Sequence, residues 1–219
     1  MLSFCFFLII ASTSVKSEVI NINEGTDNIL KMINQMIKTY EQTIGTIPDG
    51  SISYENETIS YSSGSLLGLD SMVRTGDCVV KDDSSALSFD IHFGYSLLTA
   101  FFRTIIYEDQ YMSAFFRIGD NSLRLAFTVH NGTECHVTLD AINYERMSKV
   151  VLGTSVPELD GLDVDAFFQK SVMPAMDKIL NSDTASIENS LQFMCKLIPG
   201  SKLSEVPGLK GVFQQLTGL

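Results

Sequence analysis

The side chains best able to bind a metal ion or attack a substrate are the histidines and cysteines. The three histidines, His92, His130 and His136, fall at polar positions of alternating, strand-like patterns, so we expect all three on the outward face of a sheet. The sequence has no His-Glu-x-x-His, Cys-x-x-Cys or Gly-x-Ser-x-Gly motif and no phosphate-binding loop. Cys135 precedes His136 on a predicted strand, so the two side chains point to opposite faces and cannot pair as nucleophile and base. We therefore expect no catalytic residues, no metal site and no cofactor, with a hydrolase assembled only by the fold as a remote alternative.

The apolar residues form the more unusual pattern. Residues 87–95 alternate strictly between apolar and polar side chains, which predicts a strand with one apolar face. Several methionines fall on predicted helices, and methionine adapts to irregular space. A well-packed core and a cavity for an apolar ligand both explain this inventory, and periodicity does not separate them. From strand parity and helix phase, the predicted lining of such a space is Ile33, Met36, Tyr40, Phe89, Ile91, Phe93, Phe102, Phe116, Phe127, Phe168 and Met176.

The two ends of the chain differ from its middle. The apolar run 2–11 is followed by small residues and a plausible cleavage site at 15–17, which is typical of a secretory signal and too short to span a bilayer. No later run is long and apolar enough to span either. We expect residues 1–17 to be a signal peptide, residues 18–200 a single domain, and residues 201–219 a C-terminal tail that is a short helix or partly disordered. The net charge of −11 argues against binding nucleic acid through bulk charge.

Cysteines and glycosylation motifs support export. After loss of the signal three cysteines remain, which predicts one disulfide and one free thiol. A bond between Cys78 and Cys135 is favoured because both lie in predicted strands, and a bond between Cys135 and Cys195 is the alternative. Asn56 and Asn131 each begin an Asn-x-Thr glycosylation motif. We therefore expect a secreted, extracellular glycoprotein.

The periodicity predicts helices on both sides of a long antiparallel meander. An amphipathic helix is expected over 27–44, with Thr26 as its cap, and strands from about 51 to 144. A second helix is expected from Asp163 or Asp165 to about Leu180, kinked or restarted at Pro174, and a third from Ser186. This order indicates an α+β fold with helices laid on one face of the sheet.

Two hairpins have a predicted register. A three-residue loop at 108–110 would place Phe102 opposite Phe116 on the inner face and Phe101 opposite Arg117 on the outer face. A three-residue loop at 131–133 would pair Val129 with Cys135.

The segment 67–77, with its Gly-Leu, Met and Arg-Thr-Gly-Asp residues, resembles a segment of the group-seven mite allergens. The hairpin 123–132 with its return strand 137–139 and the helix after it are similar to the same family. More widely, the chain resembles the arthropod takeout and juvenile-hormone-binding proteins and the bactericidal/permeability-increasing type of lipid-binding protein. The resemblance implies long amphipathic helices packed in a highly curved antiparallel sheet, a half-barrel that binds lipid without catalysis.

These patterns lead to two main hypotheses. The first is a secreted, non-enzymatic carrier of lipids or other small hydrophobic molecules. The second is an extracellular recognition protein that meets a partner protein or a microbial surface through an outer patch. The residues of that patch would be Phe101, Arg103, Tyr107, Tyr111, Phe115 and Arg117.

Overall fold

A computed structural model describes residues 18–55, 57–83, 85–130, 134–192 and 194–197, and its main feature is one antiparallel sheet of ten strands. Along one path the strand order is β1-β6-β7-β9-β8-β4-β2, with β10 beside β9, β3 beside β4, and β5 beside β7. The α+β class expected from the sequence is confirmed. The strands are β1 Glu18–Asn21, β2 Ile44–Ile47, β3 Gly50–Tyr54, β4 Glu57–Leu67, β5 Met72–Arg74, β6 Val79–Asp82, β7 Ala86–Tyr95, β8 Leu98–Tyr107, β9 Gln110–His130 and β10 His136–Thr154.

Strand β9 holds the sheet together. Its first half pairs with β8 as far as Ile118, its second half pairs with β7 from Leu123, and β10 runs along it with two register shifts. Between the halves, the Asn121 side chain accepts a hydrogen bond from the Tyr95 backbone N–H and donates one to the Tyr95 carbonyl, each at 2.8 Å. A Cβ on Gly94 would lie 2.3 Å from the Asn121 carbonyl oxygen, so only glycine allows this close approach. The Asn121 side chain therefore takes the place of a neighbouring strand at the point where β9 exchanges β8 for β7 as its partner.

The helices lie before and after the strands. They are α1 Asn23–Thr39, α2 Asp165–Phe167, α3 Met173–Ser182, α4 Thr184–Leu191 and α5 Met194–Leu197, with a π-helical turn, Phe168–Val172, between α2 and α3. Pro174 lies in the first turn of α3. Proline lacks an N–H and its ring clashes with the carbonyl four residues earlier, here Lys170, which explains why the wider π turn precedes it. The helix predicted to be kinked or restarted at Pro174 is thus present with that irregularity.

The first helix differs from its prediction in both boundaries. It begins at Asn23, and Thr26 lies inside it, buried, with its hydroxyl donating to the Ile22 carbonyl at 3.1 Å. The expected cap at Thr26 is therefore wrong. Its C-terminal end comes earlier than expected because Ile44 belongs to β2, where it pairs with Leu67.

Both predicted hairpin registers are wrong, for different reasons. The first hairpin closes through Glu108 and Asp109 rather than through three residues, and β8 carries an extra residue between Phe102 and Ile105, so Phe101 faces Phe115 instead of Arg117. Glu108 and Asp109 both have positive φ. That conformation matches the right-handed twist of a tight hairpin. In the second hairpin His130 pairs with His136, which places five residues in the connection. In this second hairpin Val129 pairs with Val137, two residues from its expected partner, and because two is an even number each residue keeps its expected face of the sheet.

The buried residues form two clusters rather than one. The larger cluster joins β8, β9 and β10 to the π-helical turn, where Phe168 is 4% exposed. The smaller cluster joins β6, β7 and the second half of β9 to Ile22, just before α1. Phe89 and Phe127 stack within it, with ring centroids 4.8 Å apart. The switch of β9 partners lies between these two clusters, so the sheet carries two separate apolar surfaces.

Candidate ligand site

The helices after the sheet are attached to the free edge of β10. This strand pairs with β9 on one side, and its other edge meets polar side chains from α3 and α4. The Asp177 carboxylate accepts from the Tyr144 N–H at 2.7 Å, and the Glu188 carboxylate accepts from the Leu139 N–H at 2.9 Å. Asn181 and Gln192 bond to further β10 backbone groups. An exposed sheet edge otherwise invites pairing with another chain, and these side chains close it.

Both ends of the same helical segment are also anchored. At its start the Asp165 carboxylate accepts from the N–H groups of Lys149 and Val150, at 2.9 and 2.7 Å. At its end Cys135 and Cys195 form a disulfide, with a Cα–Cα distance of 5.7 Å. We call the segment of α2, the π turn, α3, α4 and α5 the helical layer. Its position is fixed by polar bonds to one strand edge, by one covalent bond and by the packing of Phe168 in the larger cluster.

The apolar side chains of the helical layer are only partly covered. Phe168 is buried in the π turn, whereas neither α3 nor α4 has a buried residue. Ile179 on α3 is 67% exposed. Exposure of a large aliphatic side chain leaves apolar surface in contact with water, which is unfavourable by about 25 cal/mol per Å². These two helices therefore present apolar surface that the fold itself does not bury.

That surface forms an open groove at the junction of α3 and α4. Asp183 ends α3 and caps α4, where its carboxylate accepts from the Ser186 N–H at 3.3 Å. The groove has a volume of about 460 Å³, within the range of about 300–1,000 Å³ typical of small-molecule sites. It is lined by Ile179, Leu180, Asp183, Ser186, Ile187, Ser190 and Leu191.

The predicted lining residues fall into three places. Phe102, Phe116, Phe168 and Met176 belong to the larger cluster, and Phe89, Ile91 and Phe127 belong to or pack against the smaller one. The other four lie outside both clusters: Phe93 and Ile33 are half-buried, Met36 is 50% exposed, and Tyr40 is 69% exposed. The expectation of a single lined space is therefore not met for Met36 and Tyr40, because α1 turns Thr26 and Leu30 inward instead.

The groove residues were not identified from the sequence as lining. Ile179 falls in the helix predicted to end near Leu180, and Ile187 and Leu191 fall in the helix predicted from Ser186, but neither prediction indicates a ligand site. A signal was available, because Ile179 and Ile187 lie on either side of Asp183, a residue type that caps helices. Two short helices that meet at a cap bring their apolar positions together on one side of the junction.

The cysteine pairing corrects the favoured prediction. Cys135 bonds to Cys195, the alternative pairing, and Cys78 is a free, fully buried thiol. The Cys78 sulfur accepts from the His92 N–H at 3.3 Å, and burial raises the pKa of the thiol. The bond to Cys78 was favoured because both cysteines lie in predicted strands, but Cys78 and Cys135 each lie just before a strand, β6 and β10 respectively.

A polar network covers the outward face of β7, β9 and β10. The Glu145 carboxylate is bonded to His92 at 3.0 Å and accepts from the Ser122 hydroxyl at 2.8 Å. Burial raises the pKa of Glu145, but these two hydrogen bonds outweigh it and the net pKa is lowered. A serine, a histidine and a glutamate are thus close together, but a nucleophilic serine would have to hydrogen-bond to the histidine. Here Glu145 lies between Ser122 and His92, and Ser122 is fully buried. Within the described residues, no group of three or more candidate ligands is placed to hold a metal ion.

A second exposed surface lies on the outer face of β8 and β9. Phe101 and Phe115 are directly paired and are 41% and 44% exposed. The Phe115 ring packs against Gly153 of β10, where a Cβ would lie 2.1 Å from the ring. Arg103 and Arg117 are exposed on the same two strands, and neither forms an ion pair with a carboxylate among the described residues. We call Phe101, Phe115, Arg103 and Arg117 the outer patch. Of the two other residues predicted for it, Tyr111 is exposed, whereas Tyr107 packs against the larger cluster.

No protein-family model matches the chain, and no curated protein is significantly similar to it in sequence. Among the helices in the described part of the chain, none is both long and apolar enough to cross a membrane. Asn56, Asn131 and residues 1–17 and 201–219 lie outside the described residues, so the predictions for the glycosylation sites and both termini remain predictions.

Proposed function

We propose that this protein is a secreted, non-enzymatic binder of lipids or other small hydrophobic molecules. The observation that supports the proposal is the groove between α3 and α4, which is open to solvent and lined by four aliphatic and three polar side chains. Apolar pockets with a few polar groups are the usual form of small-molecule sites. The half-barrel of the lipid-binding families that the sequence resembles is part of this proposal.

Export is supported by independent features. A disulfide joins two distant segments of the chain, and such bonds persist mainly in oxidising compartments. The apolar run 2–11 and the two Asn-x-Thr motifs are typical of exported glycoproteins. The net charge of −11 favours solubility in an extracellular fluid.

The proposal is tested by titration with N-phenyl-1-naphthylamine, an uncharged probe that fluoresces in apolar surroundings. We expect micromolar binding to the unaltered protein and about tenfold weaker binding to Ile179→Asp, because a charge in the groove opposes burial of the probe. Ile44→Asp is the matched control, since Ile44 is a similarly exposed isoleucine on β2. The proposal fails if the probe does not bind, or if the two variants weaken binding equally.

The outer patch favours a second candidate function, recognition of a protein partner. Exposed aromatic residues beside arginines are typical of the energetic centres of interfaces. Replacement of Phe101 and Phe115 by serine would abolish partner binding and leave binding of the probe unchanged. The reverse result, loss of probe binding with partner binding intact, would exclude this candidate.

A further inference from the structure

The charges around the groove between α3 and α4 narrow the class of molecule that it accepts. We infer that the groove selects long-chain molecules with an uncharged hydroxyl end, such as fatty alcohols or monoacylglycerols, over fatty-acid anions. This inference rests on the proposed function, because it concerns the same site. It is argued from the three polar residues that line the groove.

The only charged side chain lining the groove is a carboxylate. Four lining residues are aliphatic, two are serines, and Asp183 carries a negative charge. None of the described residues lining the groove is lysine, arginine or histidine. A carboxylate ligand loses solvation when it enters an apolar site, and proteins usually compensate with a cation or with several N–H donors. Here the ligand's charge would instead meet a charge of the same sign.

The start of α4 does not compensate for that missing cation. A helix N-terminus attracts anions through its unpaired N–H groups and its dipole. In α4 this position is already occupied by the chain's own anion, because the Asp183 carboxylate accepts from the Ser186 N–H. A ligand carboxylate would have to compete with an internal cap that is always present.

The remaining polar groups favour a ligand that donates a hydrogen bond. The Ser190 hydroxyl donates to the Ser186 carbonyl at 2.9 Å, so its oxygen is left to accept. A carboxylate such as Asp183 can only accept. An alcohol can donate to either residue, whereas a fatty-acid anion can only accept, which leaves the Ser186 hydroxyl as its side-chain donor among the lining residues described here. The protein's net charge of −11 adds a general repulsion of anions.

Competition between two ligands of equal chain length tests the inference. Decan-1-ol and decanoate are used to displace N-phenyl-1-naphthylamine at about pH 8, where the carboxylic acid is ionised. We expect decan-1-ol to bind the unaltered protein about tenfold more tightly than decanoate. In Asp183→Asn the helix cap is kept, because asparagine is an equally good cap. We expect this variant to bind decanoate about tenfold more tightly than the unaltered protein does, so that its preference for decan-1-ol over decanoate falls to about one.

The outcomes separate the inference from the proposed function. Equal displacement by both ligands, or tighter binding of decanoate, would overturn the inference and leave the hydrophobic binder standing. Failure of the probe and of both ligands to bind would overturn both. If Asp183→Asn does not fold, which circular dichroism would show, the ratio of the two ligands on the unaltered protein decides alone.

Discussion

At the scale of single residues, two glycines with left-handed backbones differ in what surrounds them. Gly68 has a φ of +86° and Gly161 a φ of +77°. A Cβ on Gly68 would lie 1.5 Å from the Leu97 carbonyl oxygen, whereas a Cβ on Gly161 would meet nothing within 4 Å. The residue directly after β4 must therefore be glycine for two reasons, its left-handed conformation and the close approach of the Leu97 backbone.

Alanine at these two positions would separate strain from collision. We expect Gly161→Ala to lower the free energy of unfolding by about 1 kcal/mol, the strain of a left-handed residue. Gly68→Ala should cost about 3 kcal/mol or more, because the Leu97 backbone must also move. Urea unfolding of both variants measures the difference. Equal losses would show that the close approach at Gly68 does not exist in solution.

The ion pair between Asp90 and Arg124 predicts a loss of stability in acid. The hydrogen bond from Arg124, 2.7 Å long, lowers the pKa of Asp90 below its ordinary value. A carboxyl group with a lowered pKa in the folded state stabilises the protein above its unfolded pKa of about 3.9, and this contribution is lost as the pH falls through the folded pKa. The pair is partly exposed, so its contribution is about 1 kcal/mol or less.

Two arginine variants isolate this effect. Arg124→Gln should reduce the free energy of unfolding at neutral pH, and its difference from the unaltered protein should disappear as the pH falls through the lowered pKa of Asp90. Arg103→Gln changes the net charge equally but removes no ion pair, so its stability should follow the unaltered protein at every pH. Parallel pH profiles for Arg124→Gln and the unaltered protein would contradict the assignment.

At the scale of elements, the helical layer is held by side chains that bond to the edge of β10. Asp177 shows the arrangement most directly, because its carboxylate accepts from the half-buried Tyr144 backbone at 2.7 Å. The Tyr144 phenol lies in the same region, and burial, with smaller effects of Tyr95 and Asp177, raises the pKa of Tyr144 to about 12. This part of the layer is therefore poorly solvated, and a lost hydrogen bond is costly there.

Replacing Asp177 tests whether such bonds fix the layer. Asp177→Ala should lower the free energy of unfolding by about 1–3 kcal/mol, because a strand N–H loses its acceptor. Asp177→Asn retains an acceptor oxygen and should cost less than half as much. Urea denaturation followed by circular dichroism measures both. If alanine and asparagine were equally harmful, charge and not the hydrogen bond would be the cause.

The strands of the central meander were predictable, whereas β1, β2 and the registers of the two hairpins were not. Alternation identified β7 because one face of that strand is buried, and burial is what alternation reports. The β8–β9 register depends on Glu108 and Asp109 both adopting positive φ and on an irregularity between Phe102 and Ile105, neither of which the residue types impose. The α1 boundary failed for a similar reason, since Ile44 suits either the helix or β2.

At the scale of the whole molecule, one disulfide ties the helical layer to the strand on which it lies. Cys135 and Cys195 are 60 residues apart in sequence, and a loop of that size confers about 4 kcal/mol through the entropy of the unfolded chain. Its pairing was not predictable, because the position of the layer follows from polar bonds to the edge of β10. The groove also depends on how the helical layer is attached to β10. The sequence therefore indicated its apolar residues but not that they lie side by side.

Removal of the disulfide should destabilise the whole fold. We expect Cys195→Ser to lose about 4 kcal/mol of unfolding free energy and to become insensitive to reductant. Cys78→Ala is the control, because the bond is intact in it and reductant should still destabilise it. Equilibrium unfolding with and without reductant measures both effects. Reductant sensitivity in Cys195→Ser would contradict the observed pairing.

The central claim is that α3 and α4 form the ligand site, and backbone-amide NMR locates that site most directly. On titration with decan-1-ol, we predict that the largest chemical-shift changes occur in residues 176–191, with Phe101 and Phe115 unaffected. Changes centred on the outer patch, or no changes at saturating ligand, would contradict the account.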